Sequence, residues 1–411
     1  MAVQQVVVTT PARRVPREAF TCFWGAYAIS IFGTFFAFDA FALVAILALN
    51  AGPAAVSALA AAGPAVGAIA ALPLGPWVDR RRKRAAMITA DVVRFTALAT
   101  VPLAFVLGWL SWTHLVVVAV LVAAGDIAFK GASGAFVRDV VRKDELVAAN
   151  ARLESTMWTA TLAGPPLGGA AMTALGPVVG VAANAASFLA SAAALSRIDR
   201  AAESPPASPS TGSRWADLTE GWRCILAHPT LRPLLLNTAL TNALILATAP
   251  LMAVLMLDEL GFEPWQYALA FGLPCVGGIV GSRLAPPLVA QFGQARVLRI
   301  AGTVRACWPI GLAAVAAGPT GIALVLLLQT ALLTSIGVFN PVFAAVRLNA
   351  VERERTARVL IAWSVTTSAT IAGAIAIFGL IAAATSPRAG VALAGALLLA
   401  TPLLLPRRLD G

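Results

Sequence analysis

With 411 residues, 59% of them hydrophobic and only 12% charged, and a mean hydropathy of +0.84, the chain lies far from the roughly 25% charged residues of a soluble domain. A water-soluble fold is excluded, and at about 20 apolar residues per crossing the length leaves room for about twelve membrane helices with few large loops. The net charge of +11 would suggest nucleic acid in a soluble protein, but here the placement of each basic residue sets membrane topology, and no nucleic-acid partner is expected.

In chain order, apolar runs bounded by turn or charge signals fall at 20–49, 53–75, 85–109, 112–137, 153–174, 176–197, 231–256, 265–290, 295–316, 319–346, 358–385 and 387–405. The first follows Arg13, Arg14 and Arg17 and is too long for a signal-peptide core, so it is read as a span. The longest hydrophilic stretch, 197–230, carries a Pro/Ser-rich patch and then Trp215, Leu218, Trp222 and Ile225 at helical spacing. The expected organisation is a tail at 1–19, a six-helix bundle at 20–197, a central loop at 198–230, a second bundle at 231–405 and a tail at 406–411. The four cysteines, Cys22, Cys224, Cys275 and Cys307, show no metal or disulfide spacing and are read as packing residues.

Lys and Arg fall on one side of this layout. Residues 80–84, Arg138, Arg142, Lys143, Arg197, Arg283, Arg296, Arg353 and Arg355 share it, whereas the short loops of the other side hold only Arg388. The positive-inside rule then predicts that both termini and the central loop are cytoplasmic. The halves also repeat weakly: ADVVRF (90–95) and AGTVRA (301–306) put Arg94 and Arg305 at matching depths, as expected if one site between two related halves opens alternately to each side.

Between spans two and three, Gly75, Asp79, Arg80, Lys83 and Arg84 resemble the loop signature of the Major Facilitator Superfamily; Trp77 and Arg82 stand where that signature has Leu and its second Gly. In span five, Gly164, Pro165, Gly168 and Gly169 resemble the Gly-Pro core of the motif of the superfamily's antiporters, and their small side chains allow close helix approach. The stretch 138–198 is similar to the branch containing enterobactin exporters and macrolide efflux proteins. The resemblance implies an all-α fold of twelve transmembrane helices in two six-helix bundles related by a pseudo-two-fold axis. It also implies that the loop acts as a conformational latch, with Asp79 near a helix N-terminus of the opposite half and Arg94 and Arg138 as its expected partners.

An ionisable side chain at membrane depth costs about 2.5 to 3.5 kcal/mol on insertion scales, so each asks for a reason. Asp39, behind Phe35 and Phe36 on one helix face, is expected to be the proton or substrate-cation site; at the position of Thr34, related sequences carry the family's own acid. Asp126 and Lys130, one turn apart, either neutralise each other or form a switch in which protonation frees the lysine. Arg94 and Arg305 are assigned to structure. The family's arrangement puts spans one, four, seven and ten around the cavity, so Asn237, Thr241, Asn242, Gln329, Thr330, Thr334 and Asn340 are candidate wall residues or helix–helix glue.

The expected function is proton-coupled export of a drug, siderophore or secondary metabolite across a bacterial inner membrane by a monomer in contact with lipid, with the proton gradient as energy source and no cofactor. Uptake or facilitated diffusion in the same fold is the alternative, and a non-transporting sensor is the alternative of another class. No enzyme is expected, since His114 and His228 lie in opposite-side loops with no metal-ligand cluster or nucleophile motif.

Overall fold

A chain this apolar has no water at bilayer depth to satisfy its peptide groups, so each crossing must close its own hydrogen bonds. The computed structural model describes residues 17–38, 40–49, 59, 62, 73–199 and 214–406, and among them every regular element is helical. The first half contains α1 (Arg17–Phe36), α2 (Ala40–Leu49), α3 (Leu74–Asp79), α4 (Lys83–Val106), α5 (Trp112–Val140), α6 (Leu146–Leu175) and α7 (Val178–Ser196). The linker forms α8 (Arg214–Ala227). The second half contains α9 (Leu231–Val254), α10 (Pro264–Gly272), α11 (Cys275–Phe292), α12 (Gln294–Cys307), α13 (Pro319–Ala350), α14 (Thr356–Ala384) and α15 (Pro387–Leu398).

Ten stretches among the described residues are long and apolar enough to cross a membrane. Expected span one is divided into α1 and α2, and span eight into α10 and α11, broken beside Pro274, which lacks the amide hydrogen a continuous helix needs. Most of expected span two lies outside the described residues. Span five differs from expectation: α6 starts at Leu146, not near 153. Its first three turns carry Asn150, Arg152 and Glu154, and apolarity alone does not mark that part as helix. Local signals define several ends. The Ser111 hydroxyl accepts the His114 amide at 3.2 Å to start α5, and Ser386 accepts the Ala389 amide at 3.1 Å to start α15. Gly176 (φ 92°) and Gly293 (φ 80°) close α6 and α11 in a conformation that side chains disfavour.

Each half is a bundle held by small-residue contacts. In the first, α6 packs on α1, and a Cβ at Gly168 would lie 1.7 Å from the Phe36 carbonyl oxygen. In the second, α11 packs on α13, where a Cβ at Gly281 would lie 2.1 Å from the Thr334 carbonyl oxygen. Both pairs of backbones approach as closely as only glycine allows.

Between the halves, α6 packs on α11 and α13, while α14 packs on α3, α5 and α8. A single apolar core joins the halves at the end that carries residues 80–84, and it includes Phe23 and Phe136 from one half and Phe339, Phe343 and Trp363 from the other. Toward the opposite end the core divides into one cluster per half. The bundles are therefore sealed together at the basic end.

Candidate functional site

Above that seal a cavity of about 510 Å3 opens between the halves. α5 and α6 wall one side, and α9, α12, α13 and α14 the other. Into it project Asp126 and Lys130 from α5, Glu154 from α6, Arg305 from α12 and Arg347 from α13, together with Asn242, Asn340, Phe343 and Trp363. Its volume is that of an ordinary small-molecule site, for which about 300 to 1,000 Å3 is typical.

The charges that α4 and α5 contribute on the first-half side are mutually satisfied. Asp126 pairs with Lys130 at 2.6 Å and with Arg94 at 3.6 Å. Arg94, 2% exposed, also pairs with Asp91, whose other oxygen accepts the Ser191 hydroxyl at 2.7 Å. The Arg94 guanidinium lies over the rings of Phe188 and Phe129 at 4.1 and 4.8 Å. Glu154 accepts from two donors, the Trp158 indole of its own helix at 3.0 Å and the Asn340 amide of the opposite half at 2.7 Å.

On the second-half side Arg305, 1% exposed, donates to Asn237 at 2.7 Å, and the Asn237 amide donates to the Thr401 carbonyl at 2.7 Å. The Arg305 guanidinium carbon stands 3.5 Å from the Phe339 ring centre. Arg347 lies against Phe343 and Trp363 at 4.8 and 5.1 Å.

Below the cavity, ion pairs cross between the halves at the basic end. Asp79, fully buried at the end of α3, pairs with Arg358 in the first turn of α14 at 2.9 Å and with Lys83 at 3.5 Å. Burial pushes its carboxyl up from 3.8 to about 6, against the opposing pull of Lys83 and Arg358. Arg358 also pairs with Glu220 of α8, which holds Arg355 at 3.0 Å as well. Arg138 donates to the Thr356 hydroxyl at 2.7 Å, and Asp139 faces Arg353 at 3.9 Å. A Cβ on Gly75 would lie 3.6 Å from the Arg358 Cα, so α3 and α14 are in close contact.

Several expectations change in detail. The partner of Asp79 is Arg358, not Arg94 or Arg138: Arg94 is buried inside the first bundle by Asp91 and Asp126, and Arg138 ties to Thr356. Asp79 does lie at the N-terminal turn of a helix of the opposite half, that of α14. Lys83 donates to the Val78 and Asp79 carbonyls at 3.0 and 3.2 Å, Arg84 caps α7 at the Leu195 carbonyl at 2.8 Å, and Arg80 is solvent-exposed. Asp39 lies outside the described residues.

Of the expected walls, Asn242 and Asn340 line the cavity, and Asn237 lies one hydrogen bond behind it through Arg305. Thr330 and Thr334 face Gly277 and Gly281 in the α11–α13 contact. Gln329 and Thr241 are buried, and the Thr241 hydroxyl has no hydrogen-bond partner among the described residues. Phe35 and Phe36 pack under Gly164 and Gly168, while Gly169 faces open space and Pro165 continues α6 without ending it.

Glu154 and Arg347 were not singled out by sequence reasoning. Each falls within a turn of an expected span boundary, where a charge passes as loop polarity, and only the longer helices α6 and α13 carry them to cavity depth. No group of three or more His, Cys, Asp or Glu side chains among the described residues is placed to hold a metal ion.

Comparison with curated protein sequences gives no significant match. Among solved structures the chain resembles a bacterial homologue of the iron transporter ferroportin in an outward-facing state, with a TM-score of 0.79 at 18% identity over 94% of this chain and 98% of that one. It resembles the human organic anion transporter MFSD10 (TM-score 0.75, 13% identity, 94% and 99% covered) and the fucose:proton symporter of E. coli (TM-score 0.68, 12% identity, 94% and 97% covered). These likenesses, at low identity, establish the fold of two helix bundles. The family model described as Major Facilitator Superfamily matches residues 23–377, most of the chain. The chain is therefore a multi-pass membrane protein that belongs to the Major Facilitator Superfamily of transporters.

Proposed function

We propose that this protein is a proton-coupled exporter of a small organic molecule, working by alternating access in a bacterial inner membrane with both termini in the cytoplasm. The one-sided placement of Lys and Arg supports the orientation, so the sealed basic end is the cytoplasmic gate and the form described is closed to the cytoplasm. The observation that carries the coupling is Glu154, a carboxylate at the cavity wall whose hydrogen bond from Asn340 crosses between the two halves. A proton arriving at Glu154 cancels the charge that strengthens this cross-half bond, so proton binding bears directly on the contact that must break when the gate opens. Asp126 is engaged by Lys130 and Arg94 and is less free to exchange protons.

A membrane potential of about 100 mV supplies about 2.3 kcal/mol per charge, or roughly a fortyfold gradient per proton at full coupling. The test uses proteoliposomes containing a trapped pH dye, a panel of candidate compounds and an imposed pH gradient. Wild-type protein should release protons into the lumen only with transported compounds. Glu154→Gln, which hydrogen-bonds but cannot titrate, should lose gradient-driven accumulation while retaining downhill exchange. Wild-type coupling in Glu154→Gln would remove Glu154 from the mechanism, and substrate-linked proton movement in the same direction as the substrate would make the protein a symporter.

A further inference from the structure

The two halves treat their matched arginines differently. Within the repeat, Arg94 has Asp91 three residues earlier and Asp126 on the neighbouring helix, whereas the position before Arg305 that corresponds to Asp91 is Gly302. A Cβ there would already meet Leu405 at 2.9 Å and Phe339 at 3.0 Å, so the second half has no room for the missing carboxylate. Among the described residues neither Arg305 nor Arg347 has an ion pair, and the Nε of each has no hydrogen-bond partner. The Thr367 hydroxyl on the same cavity wall also lacks one. Lys130 is taken by Asp126, and Oε1 of Glu154 accepts from both Asn340 and Trp158. Two desolvated guanidinium groups without a counter-ion are unfavourable in a membrane interior unless something brings the opposite charge.

We infer that this cavity binds an organic anion, a carboxylate or sulfonate held by Arg305 and Arg347 with its aromatic or apolar body against Phe343 and Trp363. The inference rests on the transport reading above and adds the charge and shape of the cargo. The guanidinium fork matches the two oxygens of a carboxylate, or two of the three of a sulfonate. The Phe343 and Trp363 rings, 5.3 Å apart, provide the apolar wall that orients the remainder. A bound anion offsets the electrostatic penalty of the two guanidinium groups, so cargo and site stabilise each other.

The test is equilibrium binding to the purified full-length protein in detergent, using 2-naphthoate, 2-naphthalenesulfonate, 2-naphthylmethanol and 2-naphthylmethylammonium as probes that share one body and differ in charge. The two anions should bind, and the alcohol and the cation should bind at least tenfold more weakly. Arg347→Gln should lower anion affinity at least tenfold. Arg305→Lys, which keeps the charge but loses the fork, should lower it severalfold, and Arg142→Gln on the exposed surface should leave it unchanged. Elution as a monodisperse species in size-exclusion chromatography establishes that each variant is folded. A preference for the ammonium probe, no binding of either anion, or anion binding indifferent to both cavity substitutions overturns the inference. None of these touches the transport reading, which fails separately if anion binding is intact and proteoliposomes show no flux of any bound compound.

Discussion

Returning Asp79 to water should shift its carboxyl from about 6, its value in the sealed form, toward the ordinary 3.8. The sealed form therefore binds this proton more tightly than a form in which α3 and α14 have parted. For a carboxyl raised in this way, the favourable contribution to the sealed form is complete below about pH 4 and is lost as pH rises through about 6. The whole window corresponds to about 3 kcal/mol. From pH 7 to pH 5 the sealed population should rise about tenfold relative to the open one, or about 1.4 kcal/mol. Spin labels at the exposed positions Arg82 and Glu354, one in each half, on a background with Cys22, Cys224, Cys275 and Cys307 replaced, report this as growth of the short-distance population in pulsed electron–electron resonance. In Asp79→Asn the distance distribution should be flat across the same range. A wild-type shift of opposite sign, or an unchanged pH response in Asp79→Asn, would refute the assignment.

Glu220→Gln should loosen α8 from α14, read as faster amide hydrogen exchange over residues 219–227, because it removes the carboxylate shared by Arg355 and Arg358. Gly168→Ala should destabilise the detergent-solubilised protein by about 1 to 3 kcal/mol in thermal unfolding, since its new methyl meets the Phe36 backbone. Gly169→Ala, with open space around it, is the matched control and should be neutral or stabilising by under about 1 kcal/mol. Equal stabilities for the two would count against the close contact of α1 and α6. Asn340→Ala should lower the unfolding temperature by an amount equivalent to about 0.5 to 1.5 kcal/mol, as the half-buried Glu154 carboxylate loses one of its two donors. A cysteine at position 82 should resist membrane-impermeant maleimide added outside intact cells and react once the cells are opened; labelling from outside would invert the topology.

The helices and the pairing of the halves were legible in the sequence because apolar length and one-sided Arg placement act locally and leave a periodic trace. So was the close approach of Gly164 and Gly168, because only small residues permit it. Partner identities were not legible. Arg358 lies 279 positions beyond Asp79, and nothing local distinguishes it from Arg353 or Arg355, which share its charge and neighbourhood. Glu154 and Arg347 were hidden by span boundaries drawn from hydropathy, which treats a charged residue near a helix end as leaving the bilayer even when the helix continues beside a cavity. The aromatic surroundings of Asp39 suggested a cationic guest, whereas the unpaired guanidinium groups of the second half argue for an anion. That difference depends on a Gly302 that looks unremarkable until it is aligned with Asp91.

Trp222 donates to the Thr366 hydroxyl at 2.9 Å, and Gly221 lies against the Arg358 backbone, so α8 is fastened to the flank of α14. By its attachments the linker helix belongs to the second bundle, though it precedes the first helix of that bundle in the chain. A gene divided to make two polypeptides that reassemble should therefore be cut before Arg214, so that the helix travels with the bundle it grips. A cut between Ala227 and Leu231 would leave the same helix on the first fragment, where it would act as an intermolecular hook onto α14.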